Sequence, residues 1–110
     1  MGGHDITTET PSYRVRVEID GELVADTTNA VTLAETGYPV RHYLPRSDVR
    51  LELFKHTDTS THCPFKGDAE YWSFGERTNV AWSYPAGQST RAEITDLIAF
   101  DDSRVELHTG

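Results

Sequence analysis

The chain has 110 residues, 36% hydrophobic and 25% charged, with ten Lys and Arg against eighteen Asp and Glu for a net charge of -8. That describes one small domain with a modest core, and its acidity argues against a nucleic-acid partner, which needs basic patches. No apolar run approaches the roughly 20 residues of a membrane helix, and a single cysteine cannot form an internal disulfide, so the expected setting is the reducing cytosol, away from membranes.

Residues 1–12 combine Gly, Thr and charge and end in Pro11-Ser12. They are expected to form a disordered tail, with neither the basic start nor the apolar stretch of a signal peptide. The domain then runs from 13 to 110. "YRVRVEID" alternates strictly, with Tyr13, Val15, Val17 and Ile19 on one face, which predicts a half-buried strand. Asp20-Gly21 is a strong hairpin signal, and "ELVADT" is the return strand. "AVTLAET" predicts another strand, and "RHYL" is extended because Pro45 disfavours helix before it. Val49, Leu51 and Leu53 alternate with Arg50, Glu52 and Phe54 and predict a further strand. "TDTSTHCPFKGD" has a loop's composition. "AEYWSF" and "NVAWSY" predict two aromatic strands around "GERTN". In "RAEITDLIAFDDSRVELHTG" one helical turn is expected near 91–96, followed by two strands around Asp101-Asp102-Ser103. The spacing of strands predicts a small, mainly β domain.

The only cysteine, Cys63, sits in "THCPFKGDAEYW". As a nucleophile it would act as the thiolate, which a neighbouring cation favours, and Lys66 lies three residues on. His62 is a poor base for it, because adjacent side chains in an extended segment point to opposite faces and Pro64 favours extension at Cys63; His42 or His56 would be better placed. The bland alternative is a small buried apolar cysteine. His42, His56, His62 and Cys63 are candidate metal ligands but lack the close-spaced pairs of structural zinc sites, so no metal is expected. Neither phosphate-binding glycine motif occurs, and no cofactor is expected. "PFKGD" would form a turn whose amides suit an anion. Tyr71 should lie on one face of its strand and Trp72 and Phe74 on the other, as core or as pocket wall. In "HYLPRSDV", Tyr43, Arg46 and Asp48 share a turn, where Arg46 would hold a carboxylate or phosphate, or simply pair with Asp48.

"HYLPRSDVRLEL", "THCPFKGDAEYWSF", "VAWSYP" and "DLIAFDDSRVEL" follow one another in an order that resembles the bacterial and fungal family DUF427, a domain of unknown function also filed under a nucleotidyltransferase-like name. The resemblance covers about residues 13–108. It implies a tent-like, Mss4-like fold of twisted antiparallel sheets. Mss4-type relatives bind zinc through cysteine pairs, which one cysteine cannot supply. Nucleotidyltransferases use a Gly-Ser turn and paired aspartates; no Gly-Ser dipeptide occurs here, and Asp101-Asp102 falls in an expected hairpin turn. By motif position the resemblance carries over Tyr43, Pro45, Asp48, His62, Cys63, Pro64, Lys66, Gly67, Tyr71, Trp72, Trp82, Ser83 and Tyr84, with Tyr43, Cys63, Lys66 and Tyr84 expected to converge.

The leading functional expectation is a pocket for a small polar or anionic ligand, built from segments 42–48 and 61–72. Lys66 and Arg46 would supply charge and Trp72 or Trp82 an apolar wall, with Tyr43, Asp48, His62, Tyr71 and Tyr84 completing it. The rivals are an enzyme using Cys63 and a homodimeric interaction module that pairs through exposed aromatics or an open sheet edge.

Overall fold

The computed structural model describes residues 4–110. These residues are mainly β, forming ten strands in two antiparallel sheets. The larger sheet has seven strands: β1 (Ile6–Glu9), β4 (Val31–Glu35), β5 (Arg41–Leu44), β9 (Ile98–Phe100), β8 (Arg77–Ser83), β7 (Gly67–Phe74) and β6 (Lys55–Cys63), in that spatial order. The smaller sheet is β10 (Glu106–Thr109), β2 (Val15–Ile19) and β3 (Glu22–Thr27).

The alternating sequence builds β2, whose Val15, Val17 and Ile19 are buried. Asp20 and Gly21 both adopt positive φ, 53° and 83°, as a two-residue turn matched to strand twist requires. The resulting hairpin packs its apolar face on the larger sheet. Val15, Val17, Ile19 and Val24 join Trp72, Val80, Ala81, Ile98 and Phe100 in one core, a sheet-on-sheet sandwich. The opposite face of the larger sheet carries a second, smaller cluster of Leu33, Tyr43, Ala69, Tyr84, Ile94 and Ala99. Its Ile94 comes from a 3-10 turn at Ala92–Ile94, where a helical turn was expected.

Four segments differ from expectation. Residues 6–9, assigned to the tail, form edge strand β1 by pairing with β4; the β-branched "ITT" suits an edge, but four residues are too few to show a pattern. Residues 55–63, read as loop from 57 on, form strand β6, which is exposed along nearly its whole length and so has no apolar face to betray it. Val49, Leu51 and Leu53 do not form a strand: 46–48 and 51–53 are 3-10 turns. Only Val49 meets a partner strand, through a bridge to Ala25, and a short apolar run without a partner cannot stay extended in a sheet. The strands flanking Asp101-Asp102-Ser103 do not pair with each other; β9 enters the larger sheet and β10 the smaller.

The larger sheet is strongly curled. Four strand spacings separate β4 from β7, about 19 Å if the sheet were flat. Yet Lys66, one residue before β7, places its Nζ 2.7 Å from Glu35 Oε1 on β4. The second cluster therefore lies on a concave surface.

Candidate functional site

The β6–β7 turn sets up this surface. The Lys66 amide donates to the Cys63 carbonyl, closing the turn around Pro64. Gly67 follows with φ of +107°, and a Cβ there would stand 1.9 Å from the Gln88 carbonyl oxygen. Only glycine lets residues 88–90 approach. That approach gives two backbone bonds, Asp68 N–H to Gln88 and Thr90 N–H to Lys66. The Lys66 ammonium is thereby aimed inward, its side chain 14% exposed, against Glu35 at 6%. It also lies 5.8 Å from the centroid of the Tyr84 ring. Glu35 accepts at its other oxygen from the ring of His4, at 2.8 Å.

Around this pair opens a cavity of about 350 Å³, walled by Tyr71, Trp82 and Tyr84 and rimmed by Tyr38, Arg41 and Arg104. Trp82 Nε1 donates to Tyr43 Oη at 3.3 Å, and Tyr71 Oη bonds Thr61 Oγ1 at 2.8 Å. Arg41 lies over the Trp82 ring, 5.2 Å from its centroid.

Protonation states here are firmly set. Burial pushes Glu35 up, but the hydrogen bonds and charges of Lys66 and His4 outweigh it and hold the carboxyl below the usual carboxylate range. Burial lowers Lys66, but Glu35, with Tyr43 and Cys63, more than reverses this and raises it. Burial raises Tyr43 against the opposing effects of Trp82, Lys66 and Arg41. Tyr84 is pushed far up by burial, then by Tyr43, Cys63, Tyr71 and Glu35. All four shifts run away from neutrality, leaving an ammonium, a carboxylate and two phenols.

The structure brings together Tyr43, Cys63, Lys66, Tyr71, Trp82 and Tyr84. Cys63 is half-buried in the second cluster. It does not bring the other candidates there. Arg46 lies on the opposite face of the sheet, 5.1 Å from the Trp72 centroid. There it donates to Glu70 Oε2 at 2.8 Å, to Ser83 Oγ and to the Asp96 carbonyl. His56 bonds the other Glu70 oxygen at 2.9 Å. Trp72 is part of the sandwich core. Asp48 closes the 46–48 turn through its backbone amide rather than capping it with its side chain. His62 pairs with Asp68 at 2.6 Å and is largely exposed, directed away from Cys63 by strand alternation. A pocket built from segments 42–48 and 61–72 is thus corrected to one built from β4, β5, β7, β8, the β6–β7 turn and residues 101–104. Segment 42–48 supplies no lining residue: Tyr43, fully buried beneath the concave face, only accepts the Trp82 indole hydrogen bond, and the sheet separates Arg46 from that face.

Sequence reasoning missed Glu35 and Arg41. Both carried a signal. Glu35 shares a strand face with Leu33 and Val31, and Arg41 shares one with Tyr43, so each is a charge in register with apolar neighbours. Such a residue is seldom buried without a partner. The four residues weighed as metal ligands are not assembled: among the described residues, the one group of ligand types within 4.8 Å is Glu18, Glu106 and His108 on the smaller sheet.

The comparison with protein families returns one described as a domain of unknown function, DUF427, matching residues 7–109. The chain belongs to this family. The match starts within β1, so the family's extent includes the edge strand next to Glu35. No curated protein matches the chain. Among the described residues no helix is long and apolar enough to cross a membrane.

Proposed function

We propose that this DUF427 domain is a small cytosolic binding domain whose concave sheet face holds a small polar ligand. The observation that carries the reading is the buried Lys66–Glu35 pair at the floor of an aromatic-walled cavity. Ligand sites combine a few fixed polar groups with aromatic walls in this way. A purely structural domain of this size gains little from a buried ion pair, whose desolvation offsets much of its attraction.

Binding is favoured over catalysis because Glu35, Lys66, Tyr43 and Tyr84 all move away from neutral pH, whereas general acid–base catalysis needs a group titrating near it. A thiol enzyme has Lys66 near Cys63, but among the described residues no histidine ring is hydrogen-bonded to the sulfur, and His62 is engaged by Asp68. The homodimer reading has the open edge of β6 in its favour, yet that strand is polar and interrupted by an irregularity between His56 and Ser60, features that discourage edge pairing.

Crystallographic fragment soaking tests the proposal. Small polar fragments are expected between Lys66, Tyr84 and Trp82. A diverse set that binds only elsewhere, or nowhere, would overturn it.

A further inference from the structure

Among the described residues, three cationic side chains line the cavity: Lys66, Arg104 and Arg41. Two are paired within the protein. Lys66 is neutralised by Glu35 at 2.7 Å. Arg104 is ion-paired to Asp101 Oδ2 at 3.0 Å and also donates to the carbonyls of Thr78 and Asn79 at 2.8 and 3.0 Å. Arg41 differs. Its guanidinium carbon lies over the Trp82 ring, 5.2 Å from the centroid, but among the described residues it makes no side-chain hydrogen bond and no ion pair within 4 Å. Asp102 is the acid that feels its charge, without pairing to it.

A cation–π contact of this kind gives the guanidinium no hydrogen-bond acceptor, so its N–H fork stays open to a ligand. An Arg fixed this way over an aromatic ring, with its fork unfilled at a cavity rim, is pre-organised for a planar oxyanion, which it binds with two parallel hydrogen bonds. The neighbouring Tyr71 and Tyr38 give such a ligand an apolar body to lie against.

Building on the ligand-site reading above, we infer that Arg41 is the specificity-determining residue and that the ligand is an oxyanion, a carboxylate or a phosphate monoester, attached to a planar or apolar body. Lys66, and Arg46 on the far face, do not select the charge, because both are already paired within the protein.

The test follows the indole N–H signal of Trp82 in 1H–15N spectra of the full chain, titrated with benzoate, phenyl phosphate and neutral benzamide. At least one anion is expected to shift Trp82 at a concentration tenfold or more below benzamide, and the tighter anion names the oxyanion. Arg41→Gln should bring that anion's affinity down to the benzamide level, while Arg41→Lys keeps charge but loses the fork and should fall between. Unchanged dispersion of the remaining amides verifies the fold of both variants. Equal affinity for anions and benzamide, or an Arg41→Gln variant that binds the anion as well as the parent, overturns the role of Arg41 while leaving the cavity reading standing. If no probe moves Trp82, the cavity reading fails and the inference falls with it.

Discussion

The two faces of the seven-stranded sheet solve different problems with the same strands. On the sandwich face, β8 and β9 present Val80, Ala81, Ile98 and Phe100 to a second sheet, and the residues of that core are hydrocarbon apart from the indole nitrogen of Trp72. On the concave face β8, the residue after it and β9 present Trp82, Tyr84 and Ala99, and beside the aliphatic Leu33 and Ile94 the surrounding positions add phenols, a thiol and an ion pair. Among the described residues no second sheet covers this face; curl closes it in part, and the Lys66–Glu35 bridge spans the curl. One face spends its side chains on burial and the other holds polar groups in fixed states.

The sharpest way to break that contrast is to damage the sandwich. Phe100→Ala should cost about 4 kcal/mol, read as a lowered urea midpoint, because its ring is 1% exposed; a loss below about 1 kcal/mol would mean this face is not the stabilising one. Next, Glu35→Ala leaves Lys66 buried without its counter-ion and should cost about 3 kcal/mol. Removing Lys66 as well, as Lys66→Met in the same chain, should restore part of that loss, since paired residues are not additive. A fully additive cycle would deny the bridge any role in closing the sheet.

The same pair sets an acid limit. Glu35 is held below its ordinary value of 4.5, so the unfolded chain binds more protons than the native one as pH falls past that value. Its contribution is complete above about pH 4.5 and is lost as pH drops through the folded value. Glu35→Gln should flatten the acid limb of stability against pH; an unaltered limb would place the sensitivity elsewhere. Smaller still is Tyr43→Phe, which removes the acceptor for Trp82 Nε1 and should cost about 1 kcal/mol while shifting the Trp82 indole signal.

The sandwich face was largely legible in the sequence. Alternation in 15–19, the Asp20-Gly21 turn and the opposite facing of Tyr71 and Trp72 follow from period-two geometry, which is local; Tyr13, expected on the same face as Val15, lies before β2 and is exposed. The concave face was legible in part. Tyr43, Cys63, Lys66 and Tyr84 were named through family motifs, and they do meet. Glu35 and Arg41 were not named, since Lys66 reaches Glu35 only through curl across four strand spacings and Trp82 meets Arg41 from two strands away, neither of which a local pattern encodes. Arg46 misled for the complementary reason: it is three residues from Tyr43 in sequence, but the turn after Pro45 carries it to the other side of the sheet. Strand β6 was hidden by its own exposure, for a strand bare on both faces has a loop's composition.

The chain has two tryptophans, and each reports one face: Trp72 in the sandwich core, Trp82 in the cavity wall. The most direct measurement is therefore to record both indole N–H signals during titration with benzoate and phenyl phosphate. A ligand site on the concave face predicts that Trp82 moves and saturates while Trp72 stays in place. Two stationary signals, or two that move together, would contradict it.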